Sequence, residues 1–334
     1  MTRDVKKRSL FVQSMTAIEA SFTLGYDKHS AKKQSEQPDH SWRVYSFAGK
    51  ANLLDTAHNL CEYIKEHYPE VDKVRQIRPE YCQEWLDSKA KGGCSLNTIE
   101  TYKSNLVKLS RVINHHFGVH TNFETKVNVE LIPDRTSPRE FALTPEEIQR
   151  VKDSIVKPCH SSNFFIFSTY TCCRVNSVSI QKRHITLGND GQTVKVFFEK
   201  DKGGRRREIT VTDKEFYAFC SSLISGKSET DSLFGNIRKD SANKRLSRRL
   251  CRLGITVPKE KTVGCKAIQK SGNHSVRKSS IQAYYRKQYQ HYLDKGYSPD
   301  KADRTAKNDC CVRLGHGTAE KRLDIVNIYL GAKS

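Results

Sequence analysis

The sequence predicts a mainly helical α+β protein with a small antiparallel β-sheet, organised as two domains. Three observations predict this class. Apolar residues recur at helical spacing through most of residues 48–117 and again after residue 144. Two segments, 194–198 and 208–211, are rich in β-branched and aromatic residues and flank a polar turn, which indicates a β-hairpin. Residues 118–139 carry few helix signals and end in Ser-Pro, which is typical of a connection between domains.

Charge and cysteine content limit the class of protein. The 334 residues include 58 Lys and Arg against 37 Asp and Glu, a formal net charge of +21. Such a field attracts polyanions, most often nucleic acid, although a merely basic soluble protein is the alternative. No apolar run is long enough for a membrane span, and no secretory signal is recognisable. Eleven cysteines without a C-x-x-C spacing do not indicate a zinc site, and we expect reduced thiols in a cytosolic or nuclear space.

The N-terminal part is predicted to be an arm followed by a helical domain. Residues 1–47 are weakly patterned, with a polar stretch over 28–40, so we expect an irregular or mobile arm. Residues 48–130 are predicted to form a small domain of three or four helices. Lys103 and Lys108 lie off its apolar stripe, and we predict that they contact DNA; a solvated helix face is the alternative.

Local signals define the helices of this domain. Apolar residues between 51 and 64 make one helix face. Pro79 marks the start of a second helix, and Gly92 marks its end. Asn97 and Glu100 have the form of a capping box, which predicts the start of a third helix at Asn97.

The second domain is predicted to cover residues 135–334. Thr144, followed by Pro and by Glu three residues later, indicates a capped helix start. The apolar run 164–170 predicts a buried helix with Arg174 near its C-terminal end. Asp213 is predicted to cap a helix that follows the hairpin.

A basic helix is predicted over residues 243–252, with leucines on one face and cations around the rest. We expect it to contact the major groove of DNA, against the alternative of a solvated face. The predicted DNA contacts in the second domain are Arg205, Arg206, Arg245, Arg248 and Arg249.

Five short motifs occur in a fixed order through the second domain. They are Thr169-Tyr170-Thr171-Cys172-Cys173-Arg174, Lys202-Gly203-Gly204-Arg205-Arg206-Arg207, His274-Ser275-Val276-Arg277, Leu314-Gly315-His316-Gly317 and Tyr329. Each motif alone is weak, because single arginines, turn lysines and tyrosines usually have structural roles. Their chemistry is coherent when they are combined, because two guanidinium groups match the charge of a phosphodiester under attack. A tyrosine can attack phosphorus, a lysine can protonate the leaving oxygen, and histidines can assist, with no metal required.

This combination resembles the tyrosine recombinases, the phage-integrase family. The resemblance implies that Arg174, Lys202, His274, Arg277 and His316 are catalytic and that Tyr329 is the nucleophile. It implies a C-terminal catalytic domain over about 140–334 and, on pattern alone, a helical core-binding domain before it. Together the two domains would clamp duplex DNA, with no cofactor and no metal ion.

The spacing departs from the family pattern at the C-terminal end. Arg277 and His316 are 39 residues apart, which is longer than usual, and the extra length is expected within 284–303 as a surface helix and loop. We predict that 284–303 makes an assembly contact. Several other tyrosines compete with Tyr329 for the role of nucleophile, but they follow the His-x-x-Arg motif too closely to match. These are Tyr284, Tyr285, Tyr289, Tyr292 and Tyr297.

The resemblance implies a site-specific recombinase of a mobile element that forms 3′-phosphotyrosine intermediates. It would bind inverted half-sites of double-stranded DNA as a homodimer and pair two duplexes as a homotetramer. Relaxation of DNA like a type IB topoisomerase, or a catalytically silent DNA-binding regulator, are the alternatives; a generic RNA-binding protein is a weaker one. The expected location is the cytoplasm, with the nucleoid, in a prokaryote and the nucleus in a eukaryote.

Overall fold

The computed structural model describes residues 9–23, 41–132, 141–199, 206–256, 272–317 and 319–331. The chain divides into two compact units, Met1–Arg135 and Thr136–Ser334. The sequence placed this boundary between 130 and 135. Among the described helices, none has the length and apolar character that a membrane crossing requires.

The first unit is helical. Its helices are α1 (Leu10–Ala20), α2 (Phe47–His67), α3 (Pro79–Lys91) and α4 (Leu96–Phe117), with 3-10 turns at Val74–Gln76 and Val129–Leu131. Helices α1, α2 and α4 pack together, and α3 packs on α4. The apolar stripes of these helices form one core, in which Trp85 is fully buried. Burial of these stripes holds the unit together, because most of the stability of helices in proteins comes from packing of an amphipathic face.

Two expectations for the first unit are wrong. The arm predicted over residues 1–47 contains α1, which Ser9 caps and which buries Leu10, Ala17 and Ile18 in the core. Helix α4 is capped by Ser95, whose Oγ accepts from the backbone N–H of Thr98 at 3.4 Å, and not by Asn97. Serine and asparagine both cap well, and Ser95, two residues before Asn97, takes the role that the sequence analysis gave to Asn97.

The second unit combines a helical layer with one small sheet. Its elements are α5 (Pro145–Asp153), α6 (His160–Thr171), β1 (Ile185–Leu187), β2 (Thr193–Phe198), β3 (Arg207–Thr212), α7 (Lys214–Ile224), α8 (Lys239–Arg252), α9 (Gly272–Asp294), α10 (Pro299–Leu314) and α11 (Ala319–Leu330). Short 3-10 turns occur at Val175–Ser179 and Lys182–His184. The predicted α+β class is confirmed.

The sheet has the order β1-β2-β3, and both pairings are antiparallel. Val194 pairs with Val211 and Val196 pairs with Ile209, so these four buried side chains share one face. That face joins the core formed with α6 and α7. The sequence predicted β2 and β3, but it did not predict β1, which has only three residues.

Local capping signals fix two helix starts of this unit. Thr144 Oγ1 accepts from the N–H of Glu147 at 3.2 Å, and the Glu147 carboxylate accepts from the N–H of Thr144 at 2.8 Å. Asp213 accepts from the N–H of Phe216 at 2.8 Å at the start of α7. Both caps agree with the predictions, because a capping box is a local pattern that needs no tertiary information.

The extra length between Arg277 and His316 forms the end of α9 and the start of α10, which pack along each other. Tyrosine–aspartate hydrogen bonds join the two helices. Tyr285 Oη donates to Asp303 Oδ1 at 2.5 Å, and Tyr292 Oη donates to Asp309 Oδ2 at 2.7 Å. The segment 284–303 is therefore mostly helical. Its predicted assembly contact stays a prediction.

Candidate active site

The His-x-x-Arg motif lies in the first two turns of α9. Residues three apart on a helix share a face, so His274 and Arg277 point the same way. The start of α9 rests on α8, where the N–H of Asn273 donates to Asn243 Oδ1 at 3.1 Å. Gly272, at φ +46°, is required at this contact, because a Cβ there would come within 2.4 Å of the same oxygen.

Arg277 is 1% exposed, and all three of its nitrogens donate hydrogen bonds. Nη1 donates to the carbonyl oxygen of Cys172, Nη2 donates to the carbonyl oxygen of Leu314 at 2.9 Å, and Nε donates to Tyr329 Oη at 3.2 Å. Arg277 therefore joins the C-terminal ends of α6 and α10 to the tyrosine. Carbonyls at helix C-termini carry partial negative charge, which favours a buried cation there.

The turn after α6 directs Arg174 into the same region. Cys172 adopts the left-handed conformation at φ 51°, which is unusual for a residue with a side chain and ends the helix. The chain then enters the 3-10 turn Val175–Ser179, with Arg174 at its N-terminal boundary. Arg174 Nη2 lies 3.5 Å from His316 Nε2, which joins the first and fourth of the predicted motifs.

Tyr329 lies in the last turn of α11 and faces these cations. Its ring centroid lies 5.6 Å from that of His274 and 6.5 Å from that of His316. The guanidinium carbon of Arg277 lies 5.5 Å from the same ring centroid. Gln282 Nε2 on α9 donates to the carbonyl oxygen of Tyr329 at 2.9 Å, which fixes the end of α11. The tyrosine therefore belongs to the same site as the histidines and arginines of its own chain.

Two of the competing tyrosines are engaged elsewhere. Tyr285 and Tyr292 donate to carboxylates between α9 and α10. For Tyr292, the hydrogen bond to Asp309 is the main cause that raises the pKa of the phenol to about 12, and burial adds to it. Burial, assisted by the hydrogen bond to Asp303, also raises the pKa of Tyr285. A phenol with a raised pKa that already donates to a carboxylate is a poor nucleophile, which favours Tyr329 over these two.

The grouping can bind and polarise a phosphate. Two imidazoles and the Arg277 guanidinium lie around the Tyr329 phenol, and the Arg174 guanidinium lies beside His316. All four cationic groups are buried or half-buried. Among the described residues, no carboxylate forms an ion pair with Arg277, and its Nε bond to Tyr329 Oη places its charge beside the phenol. No group of three or more potential metal ligands occurs in the described parts of the chain.

Comparison with solved structures identifies the fold. The chain is similar to the XerH site-specific recombinase bound to its difH substrate, at 16% identity and a TM-score of 0.58, covering 96% of this chain and 91% of that one. It is similar to the Tn1549 transposon integrase in complex with circular intermediate DNA, at 11% identity and a TM-score of 0.54, covering 96% and 94%. A lambda integrase tetramer bound to a Holliday junction matches at 14% identity and a TM-score of 0.53, covering 92% and 83%.

The chain has the fold of the tyrosine recombinases. No protein-family model and no curated protein sequence matches it, so the relationship is visible in the fold and in the short motifs. With identities of 10–16%, the tyrosine-recombinase fold is conserved while most side chains differ.

The structure brings together five of the six predicted catalytic residues of this recombinase fold. These are Arg174, His274, Arg277, His316 and Tyr329. Lys202 lies outside the described residues, as does Arg205. Their roles stay predictions.

The other predicted DNA contacts have different surroundings. Arg206, Arg245 and Arg248 are exposed. Lys103 is half-buried, Lys108 Nζ donates to the carbonyl oxygens of Ser41 and Arg43, and Arg249 Nη1 donates to Ser154 O at 2.7 Å. Lys108 and Arg249 thus have structural partners in addition to any contact with DNA. The DNA contacts of all six residues stay predictions.

Two buried arginines next to the candidate active site were not predicted from the sequence. Arg207 is the first residue of β3, and Arg313 lies in the last turn of α10. Both occur within or next to the quoted motifs. Nothing in the sequence distinguished them from surface cations, because their partners are backbone carbonyls far away along the chain.

Proposed function

We propose that this chain is a site-specific DNA recombinase that cuts and rejoins strands through a covalent 3′-phosphotyrosine at Tyr329. The observation that carries the proposal is the placement of Tyr329 Oη 3.2 Å from Arg277 Nε, beside the rings of His274 and His316. A phenol in a cluster of cations is suited to attack a phosphodiester, whose negative charge the same cations neutralise.

The cutting step follows from these positions. Tyr329 Oη attacks phosphorus, an Oη–P bond forms, and the bond from phosphorus to the 5′ oxygen breaks. His274, whose ring is the nearer of the two, accepts the phenol proton. Arg277 and Arg174 hold the non-bridging oxygens, because two guanidinium groups stabilise the charge that gathers on them. Lys202 gives its proton to the leaving 5′ oxygen.

Rejoining reverses the same step on a second strand. A 5′ hydroxyl attacks the phosphotyrosine, and the phenol leaves as the new phosphodiester forms. The number of phosphate ester bonds is unchanged, so the exchange needs neither a nucleotide nor a metal ion. A phenol suits this role because it is a fair leaving group.

The proposed partner is double-stranded DNA with inverted half-sites, bound by a homodimer, with a homotetramer pairing two duplexes. The solved structures of similar fold include a recombinase on its substrate, a transposon integrase on circular intermediate DNA and an integrase tetramer on a Holliday junction. These support a role in the integration or excision of a mobile element. The formal charge of +21 supports binding to DNA and predicts a steep dependence of affinity on salt.

Covalent trapping tests the proposal. Duplexes that bind the protein are selected from a pool with a randomised central region and are then synthesised with a nick near the centre. The nick lets a short strand diffuse away after cutting, so the protein stays attached. The expected result is a denaturant-resistant protein–DNA band that Tyr329→Phe abolishes and Tyr289→Phe retains. A band that survives Tyr329→Phe would assign the nucleophile to another tyrosine.

The same preparation separates the alternative functions. A type IB topoisomerase-like enzyme would relax a supercoiled plasmid and form the band, but it would not join strands of two labelled duplexes. A silent regulator would bind the selected duplex and form no band at any position of the nick. Joining of strands between duplexes by the wild type is the result that we expect.

A further inference from the structure

Two buried arginines outside the proposed catalytic group hold its supporting elements together. Arg207 is 7% exposed and Arg313 is 8% exposed. Arg207 Nη1 donates to the carbonyl oxygen of Arg313. Arg313 in turn donates from Nη2 to the carbonyl oxygen of Tyr170 at 2.7 Å and from Nη1 to that of Thr210 at 3.2 Å. One guanidinium therefore bridges α6 and β3, and a second joins β3 to α10.

Each of these elements adjoins one of the motifs. Tyr170, in the last turn of α6, precedes Arg174 by four residues. Arg313, in the last turn of α10, precedes His316 by three residues. Strand β3, which contains Arg207 and Thr210, follows the hairpin turn. Arg207 and Arg313 therefore act next to the segments that place Arg174 beside His316.

The charge of Arg313 is balanced by dipoles. Among the described residues, no carboxylate forms an ion pair with Arg313. The guanidinium contacts a carbonyl at the C-terminal end of α6, where the helix dipole is negative. Its carbon also lies 4.2 Å from the ring centroid of Tyr284, and that of Arg207 lies 4.1 Å from the ring centroid of Phe198.

This geometry requires an arginine. The guanidinium is a rigid fork that reaches two carbonyls in different elements at once, whereas a lysine ammonium is a single point that can approach one of them. A lysine at position 313 would keep the charge and lose the bridge. The substitution therefore separates the electrostatic effect of Arg313 from its geometric effect.

We infer that Arg313, supported by Arg207, is a positioning residue that sets the distance between the Arg174 and His316 side chains. The expected effect of Arg313 on the rate of covalent complex formation rests on the proposed function. Its expected effect on the distance between Arg174 and His316 rests on the structure alone. Loss of the bridge leaves Arg277 as the remaining guanidinium that joins the end of α6 to the end of α10, so the segments that carry Arg174 and His316 can shift relative to each other. The 3.5 Å separation of Arg174 Nη2 and His316 Nε2 then lengthens.

The geometric arm of the test is a pair of crystal structures, of the wild type and of Arg313→Lys. The expected result is an Arg174 Nη2 to His316 Nε2 distance that is longer in the variant. An unchanged distance, with α6 and α10 in place, would overturn the inference. This distance can be compared even if the wild type forms no covalent complex, because the measurement does not depend on activity. Failure to form a covalent complex would count against the proposed function alone.

The kinetic arm measures the rate of covalent complex formation on the selected nicked duplex at saturating protein. A displacement of about 1 Å can lower a rate about 100-fold, so Arg313→Lys is expected to lower it by about 10- to 100-fold. DNA affinity is expected to change by less than about twofold, because the side chain is buried. Arg304→Lys, on the exposed face of the same helix, is the matched control and should leave rate and affinity unchanged.

A double-mutant cycle distinguishes positioning from general loss of structure. If Arg313 acts through Arg174, Arg313→Lys has little further effect on the rate once Arg174→Lys is present. Equal fold-losses in both backgrounds would contradict the inference. If Arg313→Lys does not fold, Arg207→Lys replaces it in both arms, because it removes the guanidinium that supports Arg313 and keeps the Arg313 guanidinium itself. The same lengthened distance and the same non-additive loss of rate are then expected.

Discussion

Replacement of Arg277 by lysine should destabilise the second unit, apart from any effect on chemistry. The Arg277 guanidinium donates to the carbonyls of Cys172 and Leu314 and to Tyr329 Oη while it is 1% exposed. A lysine ammonium keeps the positive charge and can retain one of these bonds, so two are lost. The acceptors that lose a partner are inside the protein, where water does not replace it.

The size of the effect follows from the number of lost bonds. Each hydrogen bond from a charged donor is worth about 1.5–3 kcal/mol, so two lost bonds correspond to about 3–6 kcal/mol. A typical domain is stable by about 5–15 kcal/mol, so the loss is a large fraction of the total. In a unit of this size the melting temperature should fall by about 6–24 °C.

Urea unfolding tests this value, because the chain contains an internal reference. Both tryptophans, Trp42 and Trp85, belong to the first unit, whereas circular dichroism reports the helices of both units. In Arg277→Lys the dichroism transition should move to lower urea while the fluorescence transition stays in place. Arg286→Lys, exposed on the same helix, is the control and should stay within about 0.5 kcal/mol of the wild type. An equally small change in Arg277→Lys would refute the reasoning.

Three further predictions concern other parts of the second unit. Arg249→Ala removes hydrogen bonds of 2.7 and 2.9 Å to Ser154 and should lower the free energy of unfolding, measured in urea, by about 1–3 kcal/mol. Arg248 is exposed, so Arg248→Ala should leave the free energy of unfolding unchanged. It should instead reduce the slope of log DNA affinity against log salt concentration by about 1. Thr144→Ala removes the cap of α5 and should cost about 0.5–2 kcal/mol in the same unfolding assay; a change below this range would argue against the capping box. Burial opposes ionisation of the Cys159 thiol, but hydrogen bonds with two neighbouring serines outweigh it and lower its pKa to about 7. Alkylation of Cys159 by iodoacetamide, followed by mass spectrometry, should therefore accelerate as pH rises through about 7, and a midpoint near the ordinary thiol value would contradict this.

The sequence predicts features whose causes are local. The capping box at Thr144 and the cap at Asp213 need only a few neighbouring residues, and both occur in the structure. The hairpin strands β2 and β3 follow from residue type and alternation. The order of the short motifs predicted the fold, because those residues must meet to make one site.

The sequence fails where a side chain finds a distant partner. Lys108 resembles a solvated lysine on a helix face, but its ammonium donates to carbonyls of the segment before α2. Arg313 is indistinguishable from an exposed arginine of α10, because its acceptor Tyr170 is 143 residues away. Helix α1 is an exception, because its buried residues Leu10, Ala17 and Ile18 recur at helical spacing and the sequence therefore carried a signal for this helix.

The buried guanidinium groups of Arg207, Arg277 and Arg313 also determine when the candidate active site can first form during synthesis of the chain. Arg277 and Cys172 are 105 residues apart, and Arg313 is 106 residues from Arg207. Closing such long loops is slow, and each bond is worth little until the others form. On a ribosome, the segment that ends in Arg174 waits for α9 and α10, which carry Arg277 and Arg313, before its helix end has these partners. Under the proposed function, the centre for cutting is therefore incomplete until α11, which carries Tyr329, has been synthesised.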